Sequence, residues 1–150
     1  MKILFISRYL PDDPQKVHGT FKRIATFIEA FKDIAELDVL FFTPPDYDCS
    51  EGQISRLKEF ITRLWNADVR LYLYPMSKFN MDNELMKWIS FTQGIFSFSK
   101  QRGRIEFSSH EQVRAVEECL GLKPDVIFAH RLSSMCPLLL TKKPLPPIFF

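Results

Sequence analysis

The sequence predicts an α/β domain built on one parallel sheet flanked by helices, and three observations carry that prediction. Short apolar runs suited to buried strands alternate with amphipathic stretches suited to helices. The links between them are short and rich in Pro, Gly and Asp. At 150 residues the chain is long enough for one domain with a proper core and too short for two.

In chain order, Ile3-Leu4-Phe5-Ile6 is a continuous apolar run, the pattern of a strand buried on both faces. A loop with Pro11, Asp12, Asp13, Pro14 and Gly19 follows. Phe21, Ile24, Ile28 and Phe31 then recur at helical spacing, predicting an amphipathic helix of about three turns. Leu37, Val39 and Phe41 alternate with Asp38 and Leu40 as a second strand, ending at Thr43-Pro44-Pro45. Ser50-x-x-Gln53 has the form of a capping box and opens a helix expected to bury Ile54, Leu57, Ile61 and Leu64. Val69, Leu71 and Leu73 alternate with Arg70 and Tyr72 in a third strand that stops at Pro75.

Met76 to about Phe107 breaks this rhythm. Its Leu85–Phe98 stretch, rich in Phe and Trp, fits core packing or a surface for a lipid-linked acceptor or membrane. A basic loop, Lys100 to Arg104, follows it. Ser108-x-x-Glu111 then opens a helix carrying Val113, Val116 and Leu120 on one face, with Gly121 and Pro124 as its stop. Asp125 to Ala129 form a fourth buried strand, and His130 to Ser134 lead into a short helix. Pro147 to Phe150 start a fifth strand, and this uncovered apolar strand suggests a domain that continues in further chain.

Composition narrows the function. A net charge of only +2 gives no basis for a surface that binds duplex nucleic acid. Cys49, Cys119 and Cys136 are odd in number and lack CxxC spacing, which argues against a disulfide framework or a zinc site and for a reducing cytosol. The run from Ile3 to Ile6 is too short for a signal peptide, and no stretch has the length of a membrane span. A cytoplasmic protein is expected, with peripheral contact at the inner face of a membrane as an option. Phe supplies 15 residues, an excess that suggests large apolar contacts, including a face for something outside the chain.

Parallel sheets bind ligands beyond the carboxyl ends of their strands, where strand order reverses. With an order of 3-2-1-4-5, that crevice lies between the first and fourth strands. The loops leaving them carry Ser7, Arg8, His18, Gly19 and Arg23 on one side, and His130, Arg131 and Ser133 on the other. A helix opening near Gly19 can offer backbone N–H groups to a phosphate, and glycine permits close approach. His130 can orient a sugar hydroxyl or steady developing charge. Plain readings stand beside these: Gly19 as a turn residue, and His130 as a strand-end histidine satisfied by backbone. No two histidines have metal-ligand spacing, so no metal is expected.

Several nucleotide enzymes are excluded. GxGxxG does not follow the first strand and GK[ST] is missing, which removes a dinucleotide dehydrogenase and a P-loop NTPase. Asp12-Asp13 resemble the acidic pair of a receiver domain, yet Tyr74-Pro75 stands where its phosphoacceptor Asp belongs.

The opening MKILFISRYLPDDP, the loop His18-Gly19-Thr20, the helix FKRIATFIEAFKD and the later KPDVIFAHRLSSMCPLL together resemble family 4 retaining glycosyltransferases of the GT-B fold. These blocks span about the first 42 and the last 30 residues. The resemblance implies the Rossmann-like, acceptor-binding amino-terminal domain of a two-domain enzyme, inactive without the second domain and its Glu-x7-Glu motif. It implies a nucleotide-diphosphate sugar as donor substrate and no cofactor, a glycan or lipid-linked acceptor, and work in cell-surface polysaccharide or lipid glycosylation. It further implies Gly19 and Thr20 at the donor phosphates and acceptor, and His130 near the transferred sugar as the catalytic-site histidine. Arg8, His18, Arg23, Arg131 and Ser133 complete the expected substrate-binding set. Thr20 stands where the family usually has a second glycine, and Phe128 where it has the first histidine of its PDVIHAH-type turn. A nucleotide-sugar epimerase of the same architecture and a non-catalytic partner subunit remain as alternatives.

Overall fold

The computed structural model describes residues 1–11, 19–76 and 110–150. His18, Asp12, Asp13, the Leu85–Phe98 stretch, the basic loop and Ser108 lie outside the described residues. Nine elements follow in chain order: β1 (Lys2–Ser7), α1 (Gly19–Phe31), β2 (Glu36–Thr43), α2 (Glu51–Trp65), β3 (Val69–Pro75), α3 (His110–Leu120), β4 (Val126–His130), α4 (Leu132–Leu140) and β5 (Ile148–Phe149). The strands form one sheet in the order β3-β2-β1-β4-β5, parallel throughout, as the alternating sequence pattern requires.

Side chains alternate across the strands, so each strand feeds two separate cores. Ile3, Phe5, Val39, Phe41, Val69 and Leu71 face α1 and α2. Leu4, Ile6, Leu40, Phe42, Ile127 and Ala129 face α3 and Leu138 of α4. Burial on both faces explains why β1 reads as a continuous apolar run, and β2, expected to alternate, is buried on both faces as well, from Leu37 to Thr43.

Among the described residues, most of the phenylalanines belong to the first of these cores. Phe5 stacks on Phe27 with ring centroids 4.4 Å apart, and Phe27 meets Phe31 at 4.9 Å and Phe128 at 4.7 Å. Phe128 is therefore a packing residue. The aromatic column ends at His130, whose ring stacks 6.0 Å from Phe5. Packing on a rigid column fixes where that imidazole lies.

Two helix predictions need correction. On α2 the buried stripe is Leu57, Ile61 and Trp65, and Leu64 is exposed. Trp65 takes the inner position because it reaches Phe21 of α1 at 5.5 Å. On α3 the buried positions are Gln112, Ala115, Val116, Cys119 and Leu120, with Val113 only half-buried.

Ser50 caps α2 as its spacing predicts, its hydroxyl accepting from Gln53 N at 3.4 Å. The reciprocal half of the box is replaced: Ser50 N donates to Asp48 Oδ1 at 2.9 Å, and Gln53 Nε2 donates to Tyr47 Oη at 3.1 Å. Asn66, in the left-handed region at φ 48°, ends the helix. Lys32, in the turn after α1, donates to the Trp65 carbonyl at that same end, 2.8 Å away. After α3, Gly121 matters for space, since a Cβ there would lie 3.0 Å from the Glu118 carbonyl oxygen. The left-handed residue that turns the chain toward β4 is Lys123, at φ 55°.

Candidate functional site

Strand order reverses between β1 and β4: β1 leads through α1 to β2 on one side, and β4 lies on the other. In register, Ser7 is the partner of His130, so both strands end side by side at the same level. The side chains of Ser7 and His130 continue the Phe5–Phe128 face, which carries them toward the amino-terminal end of α1.

His130 is 8% exposed. Its Nδ1 lies 3.1 Å from Ser7 Oγ, while its Nε2 is buried with no hydrogen-bond partner among the described residues. Buried polar atoms are nearly always paired, so an orphan nitrogen at a switch point marks a place where a partner is expected. Burial of the ring, followed by the charges of Arg131 and Arg23, holds His130 below the ordinary histidine pKa. The imidazole is accordingly neutral at pH 7.

Arg131 stands between β4 and α4 with φ 71° and ψ 157°, a combination that side-chain-bearing residues rarely adopt. That backbone is held from below by α4, where Ser134 N donates to the Arg131 carbonyl at 3.0 Å. Ser134 Oγ also donates to the His130 carbonyl at 2.8 Å. The guanidinium crosses to α1 and donates through Nη2 to Thr20 Oγ1. Arg131 thereby ties the end of β4 to the first turn of α1.

Among the described residues around the start of α1, the charges are one-sided. The first turn of α1 contains no acidic residue, and Arg23 sits exposed one turn along from Thr20. A helix amino terminus already favours anions through its free N–H groups and dipole. Gly19 opens the helix without a positive φ, and a Cβ there would meet nothing within 4 Å. Among the described residues, neither backbone conformation nor packing demands a glycine here. Thr20 is buried and serves as the anchor for Arg131.

The predicted residues thus divide. Thr20, Arg23, His130 and Arg131 come together, with Gly19 at the rim. Arg8 does not join them. Following Ser7, it turns to the other face of the sheet, where Nε and Nη2 reach Met76 Sδ at 3.2 and 2.9 Å, within electrostatic reach of Cys136. Ser133 is half-buried in the first turn of α4, and its neighbour Ser134 makes the contacts to the site. Ser7 proves to be the direct partner of His130. Its sequence signal was its position, the last strand residue before the polar loop; Ser134 had none.

A different cleft, of about 270 Å³, opens at the β3 edge of the sheet, lined by Tyr72, Tyr74, Ala115, Cys119 and Leu122 among others. It is mostly apolar and stands two strands away from β1. Among the described residues there is no group of three or more His, Cys, Asp or Glu able to hold a metal ion. Among them, too, no helix is long and apolar enough to cross a membrane.

Compared with known protein families, with curated proteins and with solved structures, the chain gives no match.

Proposed function

We propose that this chain is the acceptor-side, Rossmann-like domain of a retaining glycosyltransferase that uses a nucleotide-diphosphate sugar. One observation carries the reading. At the β1–β4 switch point, two arginines and a helix amino terminus converge beside a buried, neutral histidine with an unpartnered nitrogen. An anion and a hydroxyl-bearing group side by side are what such a pair of features would recognise, and a sugar diphosphate offers both. The sequence resemblance supplies the reaction class.

In that reaction charge develops on the departing diphosphate and on the sugar ring. Arg131, Arg23 and the start of α1 would stabilise the first, and His130 would hold a hydroxyl next to the second. Pre-positioned charge of this kind costs no reorganisation as the bond breaks. The second domain implied by the resemblance would grip the nucleotide, so transfer requires both.

The test is turnover by the whole protein with a panel of radiolabelled nucleotide sugars and glycan or lipid-linked acceptors. His130→Ala is expected to lower kcat at least tenfold with the fold intact by circular dichroism. Unchanged turnover would remove His130 from the reaction. Binding without turnover by the unaltered protein would favour a non-catalytic partner.

A further inference from the structure

Ser7 stands at the centre of three contacts, and counting protons among them fixes the state of His130. Its Oγ lies 3.0 Å from Tyr9 N, 3.2 Å from Tyr9 O and 3.1 Å from His130 Nδ1. A serine hydroxyl has one proton to give and two lone pairs to receive with. Tyr9 N can only donate and Tyr9 O can only accept. One arrangement satisfies all three at once: Ser7 donates to the Tyr9 carbonyl and accepts from both Tyr9 N–H and His130 Nδ1–H. If Ser7 instead gave its proton to Nδ1, the Ser7 and Tyr9 oxygens would face each other with no proton between them.

We infer that Ser7 is a positioning residue that holds His130 as the Nδ1–H tautomer and leaves the buried Nε2 at the β1–β4 switch point as a bare acceptor. The surrounding charge agrees. Arg131 and Arg23, the cations acting on the ring, disfavour its doubly protonated form and so keep one nitrogen bare. Ser7 is fully buried, and the Tyr9 contacts close a local turn that keeps its hydroxyl from rotating freely. Nε2 therefore accepts a hydrogen bond from a ligand. The nearby arginines disfavour an ammonium and favour an uncharged donor, a hydroxyl being the one a sugar offers. The identity of that hydroxyl as a sugar's rests on the function proposed above; the tautomer does not.

Long-range ¹H–¹⁵N correlation spectra of the full chain, labelled at histidine and recorded without ligand at neutral pH, read the tautomer directly. The expected pattern for His130 is a protonated Nδ1 and an unprotonated Nε2. A protonated Nε2 in the unaltered chain would overturn the inference by itself, whether or not any variant folds. Ser7→Ala removes the acceptor for Nδ1–H and is expected to move His130 to a mixture or to the Nε2–H form. Ser7→Thr, which keeps the hydroxyl, is expected to restore the original pattern. A Ser7→Ala spectrum identical to the parent's would show that Ser7 does not set the tautomer. Because no nucleotide sugar is present, failure here is distinguishable from failure of the transferase reading.

Discussion

Arg131 occupies a backbone region that costs of order 1–3 kcal/mol for a residue with a side chain, and it sits where the proposed ligand would bind. Glycine adopts that conformation without strain, so the fold alone gives no reason for arginine there. The contact with Thr20 returns only about 1 kcal/mol. Replacing Arg131 by Ala removes the contact and keeps the strain, whereas Gly removes both. Arg131→Gly is therefore expected to be more stable than Arg131→Ala by about 1–3 kcal/mol in urea unfolding, reversing the usual order of the two residues. Both variants should lose anion affinity equally. An alanine variant as stable as the glycine one would show that the backbone carries no strain.

Among the elements, β2 and β3 are joined by a charge cluster at the far ends of the strands from the site. Asp38 is fully buried, and Arg70 Nε and Nη2 donate to its two carboxylate oxygens at 2.6 and 3.1 Å. Lys2 approaches the same carboxylate at 4.0 Å, and Arg70 also reaches Glu36 at 3.1 Å. Removing Arg70 leaves a buried carboxylate with a single distant cation. Arg70→Ala is expected to cost about 1–3 kcal/mol in denaturant unfolding, more than an exposed ion pair and less than a fully buried one. A loss below about 0.5 kcal/mol would mean that water reaches Asp38 and replaces the guanidinium.

The same scale shows what sequence can and cannot convey. Continuous apolar runs located β1 and β4, alternation located β2 and β3, and a period of three to four located the helices α1 to α3, because burial imposes those patterns directly. Leu64 and Trp65 exchanged roles because both fit an apolar stripe, and only the partner helix, through Phe21, decides which one turns inward. Ser50 was legible as a cap, whereas the replacement of its reciprocal bond by Asp48 and Tyr47 depends on loop geometry with no fixed spacing.

At the level of the whole molecule, the strand order 3-2-1-4-5 places the crevice between β1 and β4 before any side chain is considered. Topology brought Arg23, His130 and Arg131 to one place, and the family resemblance added Thr20. Topology also swept in Arg8, because a loop residue's face is set by the alternation it inherits from the strand, and Arg8 inherits the opposite side from Ser7. The Ser7–His130 pair was hidden for a different reason. The two are 123 positions apart, and only the parallel register of β1 with β4 brings them level.

Amide chemical-shift mapping of the full chain titrated with nucleotide-diphosphate sugars tests the central claim most directly. Saturable shifts are expected at Thr20, Arg23, His130 and Arg131, with affinity reduced at least tenfold by Arg131→Ala. Shifts confined to the β3-edge cleft around Tyr72 and Tyr74, or binding indifferent to Arg131→Ala, would contradict it.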